Sequence, residues 1–244
     1  MTVRVEPDEL IVGNVGKHFR GCNIWAEYSG LTWLVEELDS GIFDKKTISD
    51  SFMMLDEEDR GYLRSVEGFW RENGISARVD AAMPGELQTL AEAGVLPHAP
   101  SGNAFVPHGH FNANYRKAVE KGFGAIRQEA IGRLEDMRGK IWGNHAERYF
   151  FYRAMVITCD SVILFSRRYA AECRARAPET TDEKRRAELL HMAESLDWIM
   201  ENPARTFHEA LQICLLYHII MNIEGSYLGL TIGRIDQHLS LIHI

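Results

Sequence analysis

The clearest hydrophobic pattern lies in the second half of the chain. Over residues 149–177 apolar side chains recur at three- and four-residue intervals, the repeat of one helical face, and Pro178 marks the end. Thr180-Thr181-Asp182-Glu183 puts a glutamate three residues after a hydroxyl, which predicts a capping box for the next helix. That helix sets Leu189, Ala193, Leu196 and Met200 on one face, and Asn202-Pro203 breaks it. Thr206-Phe207-His208-Glu209 repeats the capping pattern and opens an apolar helix over 207–223. Glu224-Gly225-Ser226 then turns the chain into a predicted strand over 227–232.

The first half is less regular. Residues 3–21 hold Pro7, Gly13, Gly16 and Gly21 and predict short extended segments and turns. Residues 24–38 are aromatic and apolar and predict a short helix before Asp39-Ser40-Gly41. Residues 56–74 space Leu63, Val66, Phe69 and Trp70 as a helix does, with Asn73-Gly74 as the stop. Residues 84–107 hold Pro84, Pro97, Pro100 and Pro107 and predict a loop with one short helix at 86–93. Two helices broken by glycines follow, at 115–130 and 131–139. No internal repeat, low-complexity tract or domain linker stands out.

Composition narrows the class. Of 244 residues, 45% are hydrophobic and 25% charged, the balance of a globular chain. The net charge of −8 excludes nucleic acid as a main partner, because phosphate binding needs a basic face. The first ten residues, MTVRVEPDEL, have no apolar signal core. The most apolar run, 210–223, includes Gln212, His218 and Asn222 and falls short of the roughly 20 residues of a membrane span. A cytoplasmic chain without a membrane segment is expected. Cys22, Cys159, Cys173 and Cys214 form no CxxC pair and suit neither zinc nor a disulfide framework.

Few residues suggest chemistry on their own. His98, His108 and His110 fall in the predicted loop. His108-Gly109-His110 presents two imidazoles, but zinc needs a third ligand, so hydrogen-bonded or solvent-facing histidines are the reading and no metal is expected. Glu36-Glu37 and Asp56 to Asp59 read as solvated helix faces. Gly13-Asn14-Val15-Gly16 is too sparse for a phosphate loop. Cys22, with only His18 nearby, reads as structural.

An ordered set of motifs carries more. Phe151-Tyr152-Arg153-Ala154, Cys159-Asp160, Arg168-Tyr169-Ala170, Arg186-Ala187-Glu188-Leu189 and Ala193-Glu194 lead to the most specific stretch, Ala204-Arg205-Thr206-Phe207-His208-Glu209-Ala210-Leu211-Gln212. Gly233-Arg234-Ile235-Asp236-Gln237 follows. Upstream stand Pro7-Asp8-Glu9-Leu10-Ile11-Val12-Gly13-Asn14, Gly109-His110 and Gly122-Phe123-Gly124. Together these resemble the pyruvate formate-lyase domain of glycyl-radical enzymes, whose signature GR-x-DQ matches Gly233 to Gln237. The resemblance covers nearly the whole chain.

The resemblance implies a helix-rich α/β fold, part of a ten-stranded α/β barrel built from two half-barrels. It implies an anaerobic lyase in which a thiyl radical abstracts hydrogen from a small organic substrate. A separate activase, using S-adenosylmethionine and an iron–sulfur cluster, installs the glycyl radical, and no cofactor stays bound. A homodimer is implied for the full-length enzyme. The family's thiyl loop, Gly-Cys-x-Glu, contains none of the four cysteines, and no glycyl loop occurs. Residues 1–238 are therefore expected to be a partial domain cut before both loops, with no catalytic residue of its own and no activity alone. Residues 239–244, Leu-Ser-Leu-Ile-His-Ile, match the translation of a sequencing transposase adapter and are expected to be a non-native tail. The competing expectation is a natural short helical interaction module of the same fold.

The resemblance also points to substrate-binding positions: His110, Leu228 and Gly229. Members that dehydrate diols carry a His-Ser pair which, counted back from Arg234, falls on Leu228 and Gly229. Apolar residues there leave diol hydroxyls unpaired. Residues 229–234 and His18-Phe19-Arg20-Gly21, with Trp25 and Glu27, resemble the arylacetate decarboxylase branch instead. Formate C-acetyltransferase-like and diol dehydratase-like members are the alternatives.

Overall fold

The computed structural model describes residues 2–16, 26–41, 55–95, 108–224 and 227–240. The chain divides into two compact units. The larger comprises 1–14, 111–221 and 230–244; the smaller comprises 15–110 and 222–229.

The larger unit is a layered set of helices. Helix α6 (Tyr115–Asp136) and helix α8 (Glu183–Trp198) both pack on the long helix α7 (Asn144–Arg176). Helix α9 (Phe207–Glu224) is apolar on every side and buries Ala210, Ile213, Cys214, Leu216 and Ile219, as a helix enclosed in a core does. A short helix α10 (Ile235–Ser240) packs on α6, and Leu239 is buried there. The core joins Tyr115, Val119 and Phe123 of α6 to Val162, Ile163 and Tyr169 of α7, Leu189 and Leu196 of α8, and Ile213 and Leu216 of α9.

Residues 2–14 run as an extended cord with no strand, held by side chains that imitate a sheet edge. The Gln212 amide nitrogen donates to the Val12 carbonyl at 2.7 Å, and its Oε1 accepts from the Val12 amide at 2.8 Å. The Tyr169 hydroxyl donates to Asn14 Oδ1 at 2.6 Å and accepts from the Asn14 amide at 2.8 Å. Arg176, Arg185 and His208 donate to the carbonyls of Val5, Glu6 and Leu10. Buried backbone groups that lack a sheet partner are thereby satisfied.

The predicted break at 130/131 is corrected. The helix continues through 130/131 to Asp136, and the glycine break between two helical stretches falls instead at Gly122, where the backbone is non-helical at φ +72°. The helical bonds lost there are replaced from the turn after α8: Phe123 N donates to Met200 O at 2.6 Å and Gly124 N to Glu201 O at 2.9 Å. Met200, expected on the face of α8, lies beyond the helix end at φ +65° and is wholly buried. The cap of α8 also differs from expectation. Asp182 is the N-cap and accepts from Lys184 N, while Thr180 Oγ1 accepts from Asp182 N. At α9 the Thr206 hydroxyl does accept from Glu209 N at 3.1 Å, but the Glu209 carboxylate accepts from Arg205 N rather than from the cap amide.

The smaller unit holds α1 (Ala26–Ser29), α2 (Thr32–Asp39), α3 (Glu57–Asn73), α4 (Ile75–Ala82) and α5 (Gly85–Glu92), and α1, α2 and α3 with Leu31 form a small core of Ala26, Leu31, Leu34, Leu38 and Leu63. Asp56, read as part of an acidic face, caps α3 by accepting from Asp59 N at 2.8 Å. Gly74 ends α3, and α4 begins at once, a helix the pattern does not predict.

Two strands complete the described elements: β1 (His108–Asn112) and β2 (Tyr227–Thr231), paired in a two-stranded sheet. The described structure is thus helix-rich with one strand pair, and it does not display the ten-stranded barrel. His108-Gly109-His110, expected in a loop, is strand.

Candidate functional site

The predicted binding positions fall on the two strands of this pair. His110 stands in β1, and Leu228 and Gly229 stand in β2, so the sheet makes their strands neighbours. All three belong to the smaller unit. The side chains of His110 and Leu228 lie outside the described structure; Gly229 is half-buried. His18, Phe19, Arg20, Gly21, Cys22, Trp25 and His98 lie wholly outside the described residues.

The helices that lead out of β1 and into β2 are tied together. Asn114 caps α6 by accepting from Lys117 N at 3.0 Å, and the next residue, Tyr115, is fully buried. Its hydroxyl is hydrogen-bonded to His218 Nδ1 of α9 at 3.0 Å, and its ring packs on Tyr217. Burial raises the Tyr115 phenol and lowers the His218 imidazole, so both stay neutral near pH 7.

Beyond β2 the signature residues make a tight turn. Gly233 has φ +69°, and Gly233 N donates to Thr231 Oγ1 at 3.1 Å. The carboxamide of Asn112, at the end of β1, occupies the space a side chain on residue 233 would need. The left-handed backbone favours glycine at 233, and any larger residue there would also have to displace the Asn112 carboxamide. Arg234 is exposed and its guanidinium lies 3.5 Å from Gln237 Oε1, inside the first turn of α10. Asn112 was not flagged by the sequence. Its only signal was that a glycine in a signature motif must have a close neighbour.

Among the described residues no three His, Cys, Asp or Glu side chains cluster as metal ligands. Burial pushes the thiols of Cys173 and Cys214 up to about 11 and raises that of Cys159, so these cysteines are protonated core residues rather than nucleophiles. Two surface depressions, of about 440 and 380 Å³, are lined by α6 with α7 and by the N-terminal cord with Arg176 and Arg185. Neither includes a strand residue.

Known proteins match this arrangement along its length. The family described as pyruvate formate lyase-like matches residues 1–242. "Probable dehydratase YbiW" of Escherichia coli (strain K12) is 30% identical over 98% of the chain, which covers 28% of that protein. The glycerol-bound B12-independent glycerol dehydratase of Clostridium butyricum superposes with a TM-score of 0.85 at 27% identity, over 99% of this chain and 30% of that one. Indoleacetate decarboxylase of Tractidigestivibacter scatoligenes is 36% identical over 36% of the chain and 10% of its own length. The chain spans under a third of the length of these relatives. By the match over 1–242, the chain belongs to the pyruvate formate lyase-like family of glycyl-radical enzymes.

Proposed function

We propose that this chain is an N-terminal portion of a glycyl-radical lyase and contributes one wall of its substrate site. The observation that carries this is the pairing of β1 with β2, which sets the strand of His110 beside the strand of Leu228 and Gly229. The hydrogen-abstracting thiyl and the radical-storing glycine would come from polypeptide outside this chain, in keeping with the share of its relatives that the chain spans. A separate S-adenosylmethionine-dependent activase installs the radical. The chain's own contribution is to bind and orient the substrate.

For the substrate, we read an arylacetate. Leu228 and Gly229 offer no hydroxyl-binding groups at the positions where diol-dehydrating members carry His-Ser, and a buried substrate hydroxyl without a partner costs about 1–3 kcal/mol. The local likeness to an indoleacetate decarboxylase supports the same reading. A dehydratase reading is favoured by the relatives that match along the whole chain. One assay separates them. The radical-loaded enzyme carrying this portion is offered phenyl- and indoleacetates and, separately, 1,2-diols, under anaerobic conditions. Release of carbon dioxide with the methylarene supports the decarboxylase. Turnover of diols alone rejects it in favour of the dehydratase.

A further inference from the structure

The N-terminal cord is closed on itself before it meets any helix. It doubles back at a turn over Pro7 and Asp8. The Asn14 side chain then joins the two arms, accepting from Arg4 N at 3.2 Å and donating to Thr2 O at 3.1 Å. The Glu9 carboxylate fixes the middle by accepting from Glu6 N at 2.9 Å and from Gly13 N. These bonds need no residue outside 2–14, so the segment carries its own shape, as compact surface loops with joined ends do.

Three helices hold this segment, and they hold it chiefly by its main chain. From α7, Arg176 donates to Val5 O at 2.6 Å and the Tyr169 hydroxyl accepts from Asn14 N at 2.8 Å. From α8, Arg185 donates to Glu6 O at 3.0 Å. From α9, His208 donates to Leu10 O at 2.8 Å, and Gln212 bonds both main-chain groups of Val12. Main-chain bonds supply affinity for a peptide whatever its side chains, and pockets for a few side chains supply selectivity. Val5, Val12 and Asn14 are the buried side chains here, whereas Pro7, Asp8 and Leu10 are exposed. At Gly13 a side chain would run into the ends of Leu215 and Ile219, so the backbone lies flat on α9. Apart from Val5 and Val12, every buried member of the core below comes from residues 115–239. A ligand that already has its bound shape loses little freedom on docking.

We propose that α7, α8 and α9 form a peptide-binding site whose ligand is the looped segment 2–14, bound mainly through its main chain and free to leave and return while the helices stay folded. This does not rest on the proposed reaction. To test it, a protease recognition sequence is inserted after Gly16 of the 244-residue chain and cut once the chain has folded. The peptide 1–16 is expected to stay with the remainder on size exclusion at micromolar concentration and to exchange with a labelled synthetic copy, while the helical circular dichroism persists. Gln212→Leu is expected to raise the dissociation constant of that copy at least tenfold, and Asp8→Ala in the copy to leave it unchanged. Departure of the peptide on cutting would overturn the proposal, and so would a loss of helical signal when the peptide is removed. Affinity indifferent to Gln212→Leu, or weakened as much by Asp8→Ala, would overturn the main-chain reading. The uncut wild-type chain gives a check that needs no variant. The amides of Arg4, Glu6, Val12 and Asn14 are bonded within the loop or to the site, and they are expected to exchange hydrogen through one shared opening, ahead of the buried face of α7. Exchange of these amides only on global unfolding would overturn the proposal.

Discussion

At the scale of the residue, glycines and one carboxylate make the sharpest statements. Gly122 combines φ +72° with a would-be side chain directed into the Glu201 carbonyl, whereas Gly132 sits in the same helix with nothing near it. Gly122→Ala should therefore cost at least about 2 kcal/mol, from the left-handed conformation plus displaced backbone. Gly132→Ala should add about 0.5–1 kcal/mol through helix propensity. Urea unfolding of the two variants measures the contrast, and equal effects would mean the kink is not where it is drawn. Glu209 gives a pH signature. Its carboxylate is buried, and burial alone would raise its pKa, but hydrogen bonds from the Arg205 guanidinium and amide hold it below the usual glutamate value. A lowered folded pKa means the stabilisation is full above the unfolded value and is lost as pH falls through the folded one. Stability should drop on acidification across that window, and Glu209→Gln should flatten the drop. A wild-type acid profile unchanged by the substitution would place the titration elsewhere.

Among the elements, the N-terminal cord depends on a few amide and hydroxyl side chains instead of a strand ladder. Gln212→Leu removes two buried hydrogen bonds to Val12 and strands both backbone groups, so it should cost about 2–4 kcal/mol. Tyr169→Phe removes the hydroxyl that serves Asn14 and should cost about 1–2 kcal/mol. Amide hydrogen exchange at residues 3–14 should accelerate in both variants ahead of the α7–α8 core. These contacts span 155 and 200 residues of sequence, which is why no local pattern announced them. Local patterns did announce the helices. The three- and four-residue repeat was legible in α3, α7, α8 and α9, and the start of α9 was readable from Thr206. The kink in α6 was misplaced because glycine positions alone do not say which one meets another segment. Helix α4 was missed because its eight residues carry little apolar repeat. The strand β1 was read as loop because His108-Gly109-His110 has neither alternation nor branched side chains, and only its pairing with β2 makes it a strand.

Taken as a whole molecule, the chain is defined by what its family resemblance implied and what its structure shows. The motif order from Pro7 to Gln237 was enough to identify the family, and the helix-rich fold superposes on glycyl-radical enzymes across nearly its full length. Positions 110, 228 and 229 came from the family resemblance, and the structure shows only that their strands pair, while the approach of the Asn112 carboxamide to Gly233 had no sequence signal of its own. Incubated with a glycyl-radical activase and S-adenosylmethionine, this chain should give no glycyl-radical signal by electron paramagnetic resonance, since no glycyl loop occurs in its sequence. The central claim is that the chain is part of a larger radical lyase, and the most direct test is to read the source DNA onward from the codon for His238. The account predicts that the open frame departs from residues 239–244 and continues into a Gly-Cys-x-Glu loop and a glycyl loop. A stop codon directly after Ile244 in an intact genome would contradict it.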